Sequence, residues 1–297
     1  MDKIFRTDLA IEANENIETT RIEGVSFEKE EHEHFTVKRI GICSRGASEE
    51  LGKPMGKYIT IEAPRLRSDA SLIYRDVSCA IRDAILDMAE LSDDSEVLIA
   101  GLGNRRITPD ALGPRTADKM LVTRHILNRD PDAFGVRLRR VASFSPSVLG
   151  VTGIDTSELI TMLTERIKPS LVIAVDALAA RSVSRLATTF QISDTGLIPG
   201  GGVCRRSGEL SRETLGVPVI SLGVPTVVDA ATLASDVYHY SREKAAENMP
   251  KIDADLFVTP NNIDSLIEGA SSIIAFGVNM ALHPMLSPDE VEALMTD

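Results

Sequence analysis

Hydrophobic and polar positions alternate with two periods along this chain, and the changes of period mark its elements. From Phe35 to Ile42 and from Tyr58 to Glu62, β-branched and aromatic residues alternate with polar ones around a Gly52-Lys53-Pro54 turn, which predicts two strands. Between 68 and 91 the apolar positions Leu72, Ile73, Val77, Ala80, Ile81, Ala84, Ile85 and Met88 follow a helical stripe. The short run Val97 to Ala100 closes on Gly101-Leu102-Gly103-Asn104, as a buried strand would, and Gly113-Pro114 then opens a predicted helix reaching about Asn128. A short strand is expected near Val141, and Asp155-Thr156-Ser157-Glu158 has the spacing of an N-cap and its return partner for a helix to about Lys168, stopped by Pro169. Leu171 to Val175 reads as a strand covered on both faces and ending at Asp176. Val217 to Val224 repeats that pattern, with Pro225 after its end. Helices are expected from Asp229 to about Asn248 and from Asn261 or Asn262 to Ala281. Buried strands alternating with amphipathic helices predict an α/β fold: a wound, mostly parallel sheet flanked by helices, with N-terminal β additions. Residues 1 to about 34 read as a polar arm, and the acidic run Glu28 to His34 has no firm periodicity.

Composition narrows the class. The chain has 297 residues, 43% hydrophobic and 26% charged, enough to bury a substantial core. A net charge of −12 argues against a surface that embraces phosphate backbones, so no direct nucleic-acid partner is expected. Aromatic residues are 4% of the chain with no Trp, which leaves little from which to build base-stacking platforms. Cys43, Cys79 and Cys204 are distant from one another, odd in number and without a CxxC pair, so reduced thiols in a cytoplasm are expected. The first ten residues lack an apolar signal core and no uncharged run reaches spanning length, so no membrane association is expected.

Several motifs carry less chemistry than they suggest. Gly101-Leu102-Gly103 has Arg106 where a dinucleotide fingerprint requires a third glycine. Gly41 and Gly46 frame a phosphate-loop spacing, but Ala47 stands where the lysine is needed. His32-Glu33-His34 lacks further ligands at metal-site spacing and reads as a solvated charge run. His125 and His283 read as ordinary packing or surface residues. Asp194-Thr195-Gly196 spells the core of pepsin-like aspartic proteases, but those folds are almost entirely β, so a turn is the better reading. The informative carboxylates are Asp110 and Asp176, both expected just beyond the C-terminal ends of buried strands, where wound sheets place their sites. Turn and capping roles for each remain open at this point.

The blocks Gly101-Leu102-Gly103-Asn104, Thr108 to Pro114, Val122-Thr123-Arg124-His125 and Val175 to Ser182 closely resemble the spore germination protease family. So do Gln191 to Gly196, Thr214 to Ile220, Gly223 to Ala230 and Val258-Thr259-Pro260, in order along nearly the whole chain. The resemblance implies an endopeptidase that degrades the small acid-soluble proteins coating spore DNA during germination, working in the spore-core cytoplasm as a homotetramer. The two acids essential in that family fall on Asp110 and Asp176. The family is related to hydrogenase maturation proteases, whose first acid lies in a similar Gly-x-Gly-Asn block and whose acidic groups recognise nickel in the substrate. No cofactor or metal requirement is carried over to this chain. Family members are zymogens that cut between an acidic residue and a following apolar-Ala-x-Glu. Asp8-Leu9-Ala10-Ile11-Glu12 fits, so residues 1–8 are expected to be a propeptide cleaved between Asp8 and Leu9, and 9–297 a single peptidase domain with an N-terminal arm. The chain departs from the family in lacking a longer insertion between about Tyr240 and Asp253, in carrying Cys204 where a small residue is usual, and in detail from Phe144 to Gly150.

Hydrolysis without a metal, Ser-His or Cys-His leaves water as the nucleophile, needing a base, and a leaving amine needing an acid. If Asp110 and Asp176 approach closely, repulsion keeps one protonated while the other activates water, and the pair titrates as a unit. The arm is expected to cover part of the cleft in the zymogen. Arg105, Arg106, Arg181, Arg205 and Arg206 are candidates to receive the glutamates of an acidic substrate, with solvated surface arginines as the alternative. A hydrogenase-maturation-like peptidase and an inactive binder of spore proteins are the rival readings.

Overall fold

The computed structural model describes residues 7–13, 22–67, 70–200, 208–230, 233–234 and 256–296. Its strands are β1 (Val25–Glu31), β2 (Thr36–Ile42), β3 (Gly56–Glu62), β4 (Glu96–Gly101), β5 (Arg140–Phe144), β6 (Leu171–Ala180), β7 (Thr189–Ser193), β8 (Val219–Asp229) and β9 (Phe257–Val258). The helices are α1 (Arg45–Leu51), α2 (Ala70–Met88), α3 (Leu112–Asp118), α4 (Arg124–Leu127), α5 (Leu149–Thr152), α6 (Thr156–Ile167), α7 (Arg212–Leu215), α8 (Ile263–Leu282) and α9 (Pro288–Thr296). The strands form one sheet in the order β1, β2, β3, β7, β8, β6, β4, β5, with β9 added against β8. The four strands β8, β6, β4 and β5 pair in parallel, while β1, β2, β3, β7 and β8 pair antiparallel to one another in turn. The wound α/β half is therefore extended by an antiparallel half that includes β7 as well as the N-terminal strands.

Alternation along the strands sorts the core into two faces. Val97, Ile99, Ile173, Val175, Phe190, Ile192, Ile220 and Leu222 point to one face, where α2, α3 and α8 cover them in a single apolar cluster. On the opposite face the covering is split. Leu98, Ala100, Val172 and Ala174 pack with Ile160 of α6 and Leu215 of α7. Ile40, Ile42 and Tyr58 pack with Ala47 and Leu51 of α1 and with Leu9, Ala10 and Ile11. Between these clusters the strands carry Gln191, Ser193, Ser221, Gly223 and Asp176, polar or small residues, with the Leu178 side chain of β6 lying over Gly223. Helix α8 is long and apolar enough to cross a membrane by composition, but most of it is buried as an interior helix of this fold.

Five expectations change. The acidic run from Glu28 is strand, because β1 pairs with β2 along its whole length, Val25 opposite Ile42 through Glu31 opposite Thr36. The helix expected to run from Gly113 to Asn128 breaks into α3 and α4. Asn279 accepts from the Leu121 N–H at 3.1 Å and donates to the Lys119 carbonyl at 3.0 Å, and the Thr123 N–H donates to the Val141 carbonyl at 3.1 Å, so partners outside the helix take the backbone groups a continuous helix would use. The strand expected to end at Val224 runs through Pro225, tolerated because β6 and β8 shift register there: Leu178 faces Pro225 and Ala179 faces Val227. Strand β6 likewise continues past Asp176 to Ala180. Helix α1, for which the sequence pattern raised no expectation, is started by Ser44, whose hydroxyl accepts from the Ala47 N–H at 3.1 Å, and ended by Gly52 in the left-handed region. The helix expected from Asp229 lies for the most part outside the described residues, and Asp229 itself closes β8.

Candidate active site

Parallel pairing of β4 with β6 ends at Gly101 opposite Val175. Beyond it the chain after β4 leads toward β5 on one side, and β6 continues beside β8 on the other. This divergence opens a crevice at the carboxyl ends of the strands. Asp110 and Asp176 stand on its two walls.

Asp110 ends a one-turn 3-10 helix, Thr108–Asp110, with Pro109 fixing its first turn. Its Oδ2 accepts from the Asn104 N–H at 2.9 Å. Gly103 makes this possible: it has φ of +110°, and a Cβ there would lie 2.1 Å from the Asp110 carbonyl oxygen. Gly113 has a similar duty, since a Cβ would lie 2.4 Å from the Val175 carbonyl oxygen, so α3 can lean directly on β6. The Gly-x-Gly run and Gly-Pro step are thus close-packing devices that bring Asp110 to the strand.

Asp176 is buried, 5% exposed, and its side chain shares the face of Val172 and Ala174. Its Oδ1 accepts from the Ala177 N–H at 2.9 Å and its Oδ2 from the Gly200 N–H at 3.3 Å. Burial, and then the charge of Asp110, push its pKa up to about 7, against the opposing pull of the Gly200 and Ala177 donors. The two acids line one cleft of ≈ 450 Å³ together with Asn104, Leu149, Thr156 and Gly200. Asp176 also lines an adjoining cleft of ≈ 390 Å³ that holds Asp8, Lys53, Gln191 and Gly223. A carboxyl that exchanges its proton near neutrality, beside a second carboxyl, is suited to taking a proton from water and returning one to a leaving group.

The N-terminal segment expected to be an arm is packed against this site. The Asp8 N–H donates to the Ala179 carbonyl at 3.0 Å and the Ala179 N–H donates to Asp8 Oδ2 at 2.8 Å, while Leu9 is fully buried. Burial raises the Asp8 carboxyl above its ordinary value, with the Ala179 donor and the Lys53 cation pulling the other way. Of the arginine candidates, Arg105 is bound to Asp118, with one N···O at 2.9 Å, and Arg106 is exposed with its N–H on Asn104 Oδ1. Arg181 follows β6, and its N–H donates to Glu12 at 2.8 Å. Arg205, Arg206 and Cys204 lie outside the described residues. Asp194 is a turn residue, accepting from the Lys57 N–H at 2.7 Å. Among the described residues no group of three or more His, Cys, Asp or Glu is placed to hold a metal ion, and His32 stacks on Phe35 instead. Sequence reasoning did not single out Lys53, Gln191 or Arg185. For Gln191 a signal existed: alternation from Thr189 to Ser193 sets it on the face opposite Phe190 and Ile192.

Fold and site together define a class, an α/β protein with two convergent carboxyls at the switch point of its sheet. The germination protease family model matches residues 4–251, and the chain belongs to that family and is a peptidase. It is 43% identical to a germination protease of Caldanaerobacter subterraneus subsp. tengcongensis, with 98% of each chain covered. It is 38% identical to one of Clostridium perfringens, again over 98% of each. A solved structure of a NiFe hydrogenase maturation protease, HycI from Thermococcus kodakarensis KOD1, aligns with a TM-score of 0.36 at 18% identity, covering 66% of this chain and 98% of that one.

Proposed function

We propose that this peptidase is an endopeptidase that begins the breakdown of small acid-soluble spore proteins at germination, using Asp110 and Asp176 as a water-activating pair. The observation that carries the reading is the buried Asp176 carboxyl, its proton held to about neutrality by burial and by Asp110 across the same cleft. The ionised member of the pair takes a proton from water as it adds to the peptide carbonyl. The protonated member delivers its proton to the departing nitrogen, leaving a carboxylate and an amine. No metal or cofactor takes part in this scheme. The enzyme is made as a zymogen that removes residues 1–8. This is supported by the seat of Asp8 in the cleft that Asp176 also lines. A homotetramer in the spore-core cytoplasm, without nucleic-acid or membrane partners, completes the proposal.

The test is incubation of the purified protein with a small acid-soluble spore protein and mapping of the cut by mass spectrometry. Wild type should cut internally, and Asp110→Asn and Asp176→Asn should lose at least about 10³-fold in rate while still folded. Wild-type rates in either folded variant would refute the paired-acid mechanism. N-terminal sequencing of the matured protein should begin at Leu9.

A further inference from the structure

The segment Asp8 to Glu12 is gripped in a way that tethering a chain end does not require. The carbonyl of Asp8, the acyl half of the Asp8–Leu9 bond, accepts from Lys53 Nζ at 2.9 Å and from Gln191 Nε2 at 3.1 Å. The other end of the Gln191 amide accepts from the Ala10 N–H at 2.5 Å, so one side chain binds the peptide on both sides of Leu9 and fixes its register. Gln191 and Asp176 lie in one row across the sheet: Gln191 is opposite Gly223 on β8, and Gly223 is opposite Asp176 on β6. All three share a face, and the middle position has no side chain of its own, the space over it being taken by the Leu178 side chain of β6.

Four residues beyond Asp8, the Glu12 carboxylate is almost wholly enclosed, its side chain 6% exposed. It accepts from the Arg181 N–H at 2.8 Å and the Ser182 N–H at 3.3 Å, and from the Thr7 hydroxyl. It also pairs with Arg185 Nε at 3.0 Å. Arg185 is held from behind by Glu62, itself 2.6 Å from Lys38. A buried carboxylate is costly unless its hydrogen bonds are met, and here they are met by groups fixed in advance.

We infer that Lys53 and Gln191 hold the carbonyl of the bond that is cut, and that Arg185 with the Arg181 and Ser182 N–H groups reads a glutamate four residues beyond it. This rests on the proposal that the enzyme cuts its own chain after Asp8. Water adds to the Asp8 carbonyl carbon and its proton passes to the ionised acid. The negative charge gathers on the carbonyl oxygen, where the ammonium and the amide stabilise it, and the tetrahedral carbon then releases the Leu9 nitrogen as that nitrogen takes a proton from the acid pair. Fully buried Leu9 and the enclosed Ala10 beside it add a demand for an apolar, then a small, residue after the cut.

The experiment uses the full chain and a synthetic peptide of residues 4–16, with cuts read by mass spectrometry. If wild type cuts neither itself at Asp8–Leu9, nor the peptide, nor a small acid-soluble spore protein, the underlying functional reading fails. Where wild type cuts, Lys53→Met and Gln191→Leu should lower kcat about 10²-fold to 10³-fold with little change in KM, and Lys53→Arg should recover part of the loss. Unchanged kcat in the folded variants overturns the carbonyl assignment. Replacing Glu12 of the peptide by Gln or Ala should lower wild-type kcat/KM at least about 30-fold, and Arg185→Met should cut that discrimination to about 5-fold or less, the remainder being due to the Arg181 and Ser182 N–H groups. Equal cutting of the Glu and Ala peptides by wild type, a test that needs no altered enzyme, overturns the glutamate site, as does a preference in Arg185→Met undiminished from wild type.

Discussion

Replacing Asp176 by Asn should make the protein more stable, and the gain should depend on pH in a calculable way. In the fold burial and Asp110 raise this carboxyl from 3.8 to about 7. Below about pH 4 it is protonated in both folded and unfolded chains and contributes no pH dependence. Between about 4 and 7 the unfolded chain releases the proton while the native chain keeps it, so native protein binds more protons and loses stability as pH rises, by about 1.4 kcal/mol per unit. Above about 7 both states are ionised and the loss levels off at roughly 4 kcal/mol. Asn keeps the shape and its single carbonyl oxygen can accept from the Ala177 N–H, while its NH2 end faces the Gly200 N–H and forfeits that bond at every pH, and it carries no charge to desolvate. Urea unfolding of wild type and Asp176→Asn at pH 5 and pH 8 should therefore show the difference in stability growing by about 3 kcal/mol in favour of the variant. Parallel pH dependence of the two proteins would mean that Asp176 is neither buried nor coupled as described, and would remove the physical basis of the acid pair.

Asp110→Asn should lower the Asp176 pKa by deleting the like charge beside it, seen as an acid-ward shift of the Asp176 carboxyl signal in an NMR titration. His283 has the opposite linkage. Burial chiefly, aided by the Arg139 charge, pushes it down to about 4, so native protein resists protonation and stability falls as pH drops from about 6.5 toward 4. His283→Gln should flatten that limb in acid unfolding curves, by on the order of 3 kcal/mol across it. Gly103→Ala should cost several kcal/mol in thermal unfolding, because its Cβ meets a backbone oxygen at 2.1 Å and its φ is +110°. Arg105→Ala should change stability by less than about 1 kcal/mol and leave kcat/KM on an acidic substrate unchanged, since its exposed partner is Asp118.

What could be read in the sequence divides along a physical line. Elements with one dominant period were legible: α2, α6, β4 and the start of β6 follow from apolar spacing and from the Asp155 cap, whose side chain accepts from the Ser157 N–H at 2.8 Å. Of the two acids expected just beyond strand ends, Asp110 does follow β4, in the Thr108–Asp110 turn, whereas Asp176 lies within β6, at the point where its pairing with β4 stops. Illegible features depend on partners distant in the chain. Glu28 to Glu31 is strand only because β2 supplies its hydrogen bonds, and the break after α3 needs Asn279, about 160 residues away. Lys53 and Arg185 are single polar residues without local pattern, Gln191 has only the alternation that sets its face, and their meaning appears only when a fourth segment, Asp8 to Glu12, is laid between them.

The split covering of the second sheet face connects these observations. One face of the sheet is closed by α2, α3 and α8 in a continuous core, which holds the strands in register. The other is closed at its two ends, by α6 and α7 and by α1, leaving a central strip where Gly223, Ser221 and Ser193 offer little bulk. The edge of β6 beyond Val175, where pairing with β4 stops, is open to an incoming chain beside this strip, and Asp8 binds Ala179 there at 2.8 Å and 3.0 Å. The end of β4 pairing that places Asp176 on the crevice therefore also supplies the edge that seats Asp8. In the proposed mechanism, the rigid first face is what would let a proton shared between two acids reach one peptide bond rather than its neighbours.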